Sequence, residues 1–332
     1  MFKLCESDVG NLPRLAALAI LISLTSFPIP EQGHPSGQPG SDEYRISVDV
    51  GLVVLPVVVI DRNGKAVSGL GESSFHVFED GRPQQIALFE SEDVPVTVGL
   101  VIDNSGSMRN KVSEVIGAAE EFAKSSNPQD EMFVVNFNQN VSMGLPQGVP
   151  FTSDVNQLLG AVSQNRASGN TALYDGLDAA LEHVKTGTAN RKALIVISDG
   201  RDNASQISFQ NILKRAQASN AQIYTLGVFD DMFSGEDSAV LKRLAKVTGG
   251  QAYFPDSPSQ LMGICQQIAR NLRYQYTLGY HPRTTNPEGM YHVIRVTASA
   301  TGNGRLRVAT RAGYLTPAEA QTMTPMPAKA LL

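Results

Sequence analysis

The chain carries only two cysteines and five histidines in 332 residues, and no tryptophan. So few thiols exclude zinc fingers, iron–sulfur centres held by four cysteines, and a disulfide framework. Charge is also scarce: Asp, Glu, Lys and Arg make up 18% of residues and the net charge is −5. Such a balance lacks the clustered basic residues that grip nucleic acid or an anionic membrane, so neither is expected as a partner. Any metal must be held mainly by oxygen. What remains is a globular composition, 42% hydrophobic, long enough for two domains with their own cores.

The apolar run Leu15–Phe27 follows Lys3 and Arg14. It is shorter than the roughly 20 residues that cross a bilayer, and it fits the apolar region of a secretory signal spanning residues 1–27. The expected location is therefore secreted, periplasmic or on the cell envelope, with no integral span once the signal is removed. Cys265 would then stand alone. It shares apolar phase with Leu261, Ile264 and Ile268, the mark of a buried structural thiol. Residues 28–43, rich in Pro, Gly, Ser and Gln, read as a flexible linker, and residues 317–332 as a disordered tail.

Residues 44–91 show short β-type runs (YRISVDV, LVVLPVVVI, FHVFE, QQIALFE) broken at Asn63-Gly64 and Asp80-Gly81, pairs that suit tight hairpins. Pro56 within the second run predicts an edge strand or a bulge. Residues 93–272 change rhythm. Apolar runs at 96–102, 132–137, 193–198 and 222–228 alternate with helical spacings such as Leu173, Leu177, Leu181 and Val184. Near-continuous apolar strands between helices predict a mostly parallel, doubly wound α/β sheet covered on both faces. Residues 273–316 return to β runs, with a turn at Gly302-Asn303-Gly304. The fold class expected is α/β, inserted in a β-sandwich whose halves are residues 44–91 and 273–316.

Ligands of open parallel sheets bind beyond the carboxyl ends of the strands. There the first run is followed by Asp103-Asn104-Ser105-Gly106-Ser107, the third by Asp199-Gly200, and Gly169-Asn170-Thr171 lies between them. Ser, Asp and Thr at helix starts usually act as caps. Here two carboxylates and three hydroxyls share one sheet edge, which suits a hard divalent cation: Mg²⁺, with Mn²⁺ or Ca²⁺ possible. Asp175 on the next helix reads as a solvated or outer supporting group. The loop Asp230–Glu236, with Met232 and Phe233, reads either as an ordinary folded-back loop or as a partner-contacting segment.

With Asp103, Ser105, Ser107, Thr171 and Asp199 in this order, the chain resembles the von Willebrand factor type A family and its metal-ion-dependent adhesion site. The likeness implies that Ser105 and Ser107 bind the metal directly, Thr171 directly or through water, and Asp103 and Asp199 mainly through waters. It leaves one coordination position for an acidic side chain of a protein partner. Together with its flanking β segments the chain is similar to secreted bacterial proteins related to that family. A non-enzymatic, metal-dependent binding or adhesion protein is the expectation. The alternatives are a structural envelope component whose metal only stiffens the sheet edge, and a hydrolase. No histidine falls at a strand end of the α/β region and no Gly-x-Ser-x-Gly elbow occurs, so a triad has no base and no nucleophile.

Overall fold

The computed structural model describes residues 51–62, 64–229, 235–282, 289–300 and 305–316, with only the backbone of Gly235 and Glu236. The expected signal, linker and tail, the run Tyr44–Val50, most of the loop 230–236 and the turn at 302–304 lie outside the described residues.

The chain begins with β1 (Val53–Ile60), β2 (Phe75–Glu79), β3 (Arg82–Gln84) and β4 (Ile86–Glu90). An α/β region follows: β5 (Val96–Asp103), α1 (Val112–Ser125), β6 (Glu131–Phe137), β7 (Val141–Met143), α2 (Val155–Val162) and α3 (Leu173–Val184). It continues through β8 (Arg191–Ser198), α4 (Phe209–Ala218), β9 (Ala221–Gly227), α5 (Gly235–Thr248), β10 (Ala252–Tyr253) and α6 (Leu261–Arg273). The last strands are β11 (Tyr276–Tyr280), β12 (Tyr291–Ala298), β13 (Arg307–Ala309) and β14 (Gly313–Leu315).

The central sheet has the order β10-β9-β8-β5-β6-β7, parallel except for β7. All of β5 is buried, as a strand covered by helices on both faces must be. Alternation sends Thr225 of β9 to α5, where its hydroxyl meets the Leu241 carbonyl, and sends Asn136 of β6 to the opposite face, where it meets the Ala161 carbonyl of α2. Gly99 in β5 has no room for a side chain, because a Cβ would fall 2.3 Å from the Phe133 ring. Cys265 is buried in this core.

Two antiparallel sheets, β13-β1-β11-β4 and β14-β12-β2-β3, share a second core in which Leu55, Val57 and Tyr280 meet Phe75, Val77 and Ile294. Strands from both ends of the chain interleave, since β1 pairs with β11 and β2 with β12. The α/β region is thus inserted into a β-sandwich. At the two crossings, Arg273 Nε donates to Asp93 Oδ2 at 2.8 Å, so the outgoing and returning chain are tied together. β2 and β3 are joined by Asp80 and Gly81, with φ of 50° and 80°, a turn whose twist matches the strands. The edge-strand expectation for Pro56 needs correction. β1 lies inside its sheet, but Val53–Val57 pair only with β11, while Val58–Ile60 pair with β13 and Ile60 also bridges Ala66, so Pro56 leaves one flank unpaired and its missing N–H costs nothing there.

At the foot of the central sheet, Asp130 accepts the Val96 N–H at 2.8 Å and the Asn127 N–H at 3.1 Å. Burial nevertheless pushes its carboxyl up to about 6, above the unfolded value of about 3.9. A raised carboxyl takes up a proton on folding, so its contribution is largest below about pH 4 and is lost as pH rises through 6. The urea midpoint of the wild type should therefore fall more than that of Asp130→Asn between pH 5 and 7.5; equal slopes would contradict this assignment.

Candidate metal centre

The parallel pairing of β5 with β8 sets Ile102 against Ile197, so the residues that follow, Asp103 and Ser198-Asp199, leave the sheet side by side. Asp103 Oδ1 accepts the Ser105 N–H at 2.8 Å, which curls the chain back over the strand end. Its other oxygen, Oδ2, accepts the Ser198 hydroxyl at 2.6 Å, and Ser198 Oγ in turn accepts the Gly200 N–H at 3.1 Å. Ser105 Oγ and Ser107 Oγ lie 3.1 Å apart. Ser105 precedes the 3-10 turn Gly106–Lys111, yet its side chain makes no cap bond. Helix α3 starts after Ala172, and its first N–H groups are taken by other side chains: Tyr174 N–H donates to Asp202 Oδ2 and Ser205 Oγ, and Asp175 N–H to Ser205 Oγ. The Ser105 and Thr171 hydroxyls are therefore not consumed as caps.

Thr171 is fixed through its backbone. Its N–H donates to Asn203 Oδ1 at 2.8 Å, and its carbonyl accepts the N–H groups of Asn203 and Ala204 at 3.0 and 3.1 Å. That exchange ties the Thr171 loop to the loop that starts at Asp199. The Thr171 loop is also tied to the first: Gly106 N–H donates to the Gly169 carbonyl at 3.0 Å, and Ser168 N–H to the Asn104 carbonyl at 2.8 Å. Two glycines make the close approach possible. Gly169 has φ of 80° and a Cβ there would sit 1.7 Å from Gln139 Oε1; Gly200 has φ of 82° and its Cβ would meet the Asp237 carbonyl at 2.8 Å. Asn104 anchors the whole arrangement beneath, with its side chain on Asn136 Oδ1 at 3.0 Å.

Asp103 and Asp199 are 2% and 5% exposed, and among the described residues neither forms an ion pair. Burial pushes the Asp103 carboxyl up to about 6, the Asp199 charge adding to it while the Ser198 and Ser105 hydrogen bonds oppose it. Asp199 accepts one N–H, from Arg201 at 3.2 Å. Two buried carboxylates, fronted by hydroxyls with lone pairs to spare, form a hard oxygen donor set that fits Mg²⁺, Mn²⁺ or Ca²⁺. Ser198 and Asn203 hold the site together in ways that the strand-end pattern does not assign; the Ser that directly precedes Asp199 is the available signal. Asp175 accepts the N–H groups of Gln206 and Ile207 at 2.9 and 3.0 Å, which ties the loop after Asp199 to α3.

A second group with metal-type ligands, Glu79, Asp80 and His292, lies in the sandwich. It is satisfied internally: His292 Nδ1 is 2.7 Å from Asp80 Oδ2, and Glu79 Oε2 accepts the Tyr280 hydroxyl at 2.6 Å.

A family model described as the von Willebrand factor type A domain matches residues 97–267. An uncharacterized protein of Borreliella burgdorferi is 28% identical over 134 residues, covering 35% of this chain and 38% of its own. A UPF0353 protein of Mycolicibacterium paratuberculosis is 26% identical over 214 residues, covering 55% of this chain and 62% of its own. The chain thus spans less than two thirds of either relative. Among solved structures, a von Willebrand factor type A protein from Catenulispora acidiphila is similar with a TM-score of 0.48 and 14% identity, over 80% of this chain and 74% of that one. The vWF domain of the type V pili tip protein Mfa5 from Porphyromonas gingivalis has a TM-score of 0.46 and 15% identity, over 54% of this chain and 95% of that one.

Ser198→Ala removes both the donor to Asp103 and the acceptor for Gly200. Leaving buried groups unpaired costs about 1–3 kcal/mol, so thermal unfolding should show a fall of several degrees. An unchanged melting temperature would remove Ser198 from this role.

Proposed function

The chain belongs to the von Willebrand factor type A family, and we propose that it is a non-enzymatic binding protein of the cell envelope or secreted space, which captures a protein ligand through a divalent cation. Domains of this family are often metal-dependent adhesion or protein-interaction modules. On this reading the α/β domain of residues 93–272 is the binding head, and the β-sandwich of residues 44–91 and 273–316 carries it. Ser105, Ser107, Thr171, Asp103 and Asp199 hold the cation, Mg²⁺ in preference to Mn²⁺ or Ca²⁺. The bound cation supplies an electrophilic position that a carboxylate can fill. Two carboxylates just neutralise a divalent ion, so it still attracts one more, and the partner is a protein with an exposed Asp or Glu.

The observation that carries this reading is the meeting of two buried carboxylates, neither ion-paired with Lys or Arg among the described residues, with hydroxyls that serve as no helix cap. The histidines support binding over hydrolysis. His183 lies against Phe133 and Phe151 with Nε2 2.8 Å from the Pro150 carbonyl, and His292 is engaged with Asp80. Export rests on the expected signal at residues 1–27, and among the described residues no helix is long and apolar enough to cross a membrane.

Calorimetric titration of the wild type with Mg²⁺ should give binding heat with one-site stoichiometry, and Asp103→Ala and Asp199→Ala should each abolish it. A wild type that gives no heat with Mg²⁺, Mn²⁺ or Ca²⁺ would overturn the metal site. A metal-loaded protein whose capture of a Glu-rich protein is unchanged by chelator would leave the cation a purely stabilising role.

A further inference from the structure

Beneath the end of α6, part of the otherwise apolar sheet face is polar. On β9, alternation places Gln222 and Tyr224 on this face. Gln222 accepts a hydrogen bond from Gln275 and donates to the Gly249 carbonyl at 3.2 Å. On β10, Tyr253 Oη donates to Gln251 Oε1 at 3.1 Å and accepts from Asn271 Nδ2 of α6 at 3.5 Å. Three buried atoms of this group then meet no protein partner: Tyr224 Oη, Gln251 Nε2 and Asn271 Oδ1. Tyr224 and Asn271 are both 0% exposed.

Turning the amides does not remove the deficit. With Gln251 and Asn271 both flipped, Tyr253 donates to Asn271 and accepts from Gln251, and the atoms left over become Gln251 Oε1 and Asn271 Nδ2. Either way one amide donor, one amide acceptor and one hydroxyl remain. Burial pushes the Tyr253 hydroxyl up to about 12 and the Tyr224 hydroxyl higher still, so both keep their protons and can donate. A donor, an acceptor and a hydroxyl left unpaired in one buried seam are the groups a water molecule can pair with, since it makes two to four such bonds when buried.

We propose that the seam between α6 and β9–β10 is a binding site for ordered water, bridged by Gln251, Asn271 and Tyr224. The helix then rests on this side on a hydrated polar seam, and its seat depends on solvent that the fold has enclosed.

Thermal unfolding of the full chain tests this with Tyr224→Phe, Asn271→Leu and the double variant. Tyr224→Phe deletes only the hydroxyl. If that hydroxyl holds a shared water, the melting temperature falls by about 2–4 °C, and the double variant loses less than the sum of the singles, because one water is lost once. A melting temperature that rises or stays the same in Tyr224→Phe would mean a dry, unpaired hydroxyl and overturns the proposal. Strictly additive losses overturn it as well.

Discussion

Parallel pairing of β5 with β8 in a sheet buried on both faces forces two strand-end carboxylates, Asp103 and Asp199, into the same low-dielectric edge. Like charges held there repel, and burial penalises each of them. Much of the surrounding structure reads as compensation. Ser198 and the Ser105 backbone donate to Asp103, and Arg201 donates to Asp199. The three loops are stitched to one another through Gly169, Thr171 and Asn203 and not through the site hydroxyls. Donors sufficient to orient the carboxylates, with no ion pair to either of them among the described residues, leave the edge suited to a cation.

The same edge is supported from a distance by the way the chain is threaded. The sandwich is closed by strands from both ends of the chain, so the α/β region enters and leaves it at adjacent points. Arg273 and Asp93 pair at these crossings, and Asn127 also donates to Asp93, which links the loop before β6 to the same clamp. Arg311 reaches across to the Gln217 carbonyl of α4 at 2.7 Å. Gly249 leaves room for the Arg311 backbone, which a Cβ would meet at 2.3 Å. These contacts hold the inserted region by its foot, opposite the candidate metal centre.

Much of this was legible in the sequence because the buried strands are apolar along their whole length and the site residues directly follow them. The alternation in YHVIRVTA coincides with β12, and Asp80-Gly81 is the hairpin it signals. Other features carried no periodic signal. Strands β7, β10 and β14 are two or three residues long, too short for alternation to register. Helix α4 buries only Ile212 and Ala216 fully, so its apolar stripe is faint. The roles of Ser198, Asn203 and Asp175 depend on partners 95, 32 and 31 residues away, which no local pattern reveals. Pro56 misled because the rule for proline in sheets concerns the flank its nitrogen faces, and β1 changes partners just after it, between Val57 and Val58.

The most direct measurement of the central claim is a crystal structure of the protein grown in Mn²⁺, with the anomalous difference map as the readout. The account predicts a peak in coordination distance of Ser105 Oγ and Ser107 Oγ, in front of Asp103 and Asp199. A map with no peak there, or with its peak instead among Glu79, Asp80 and His292, would contradict it.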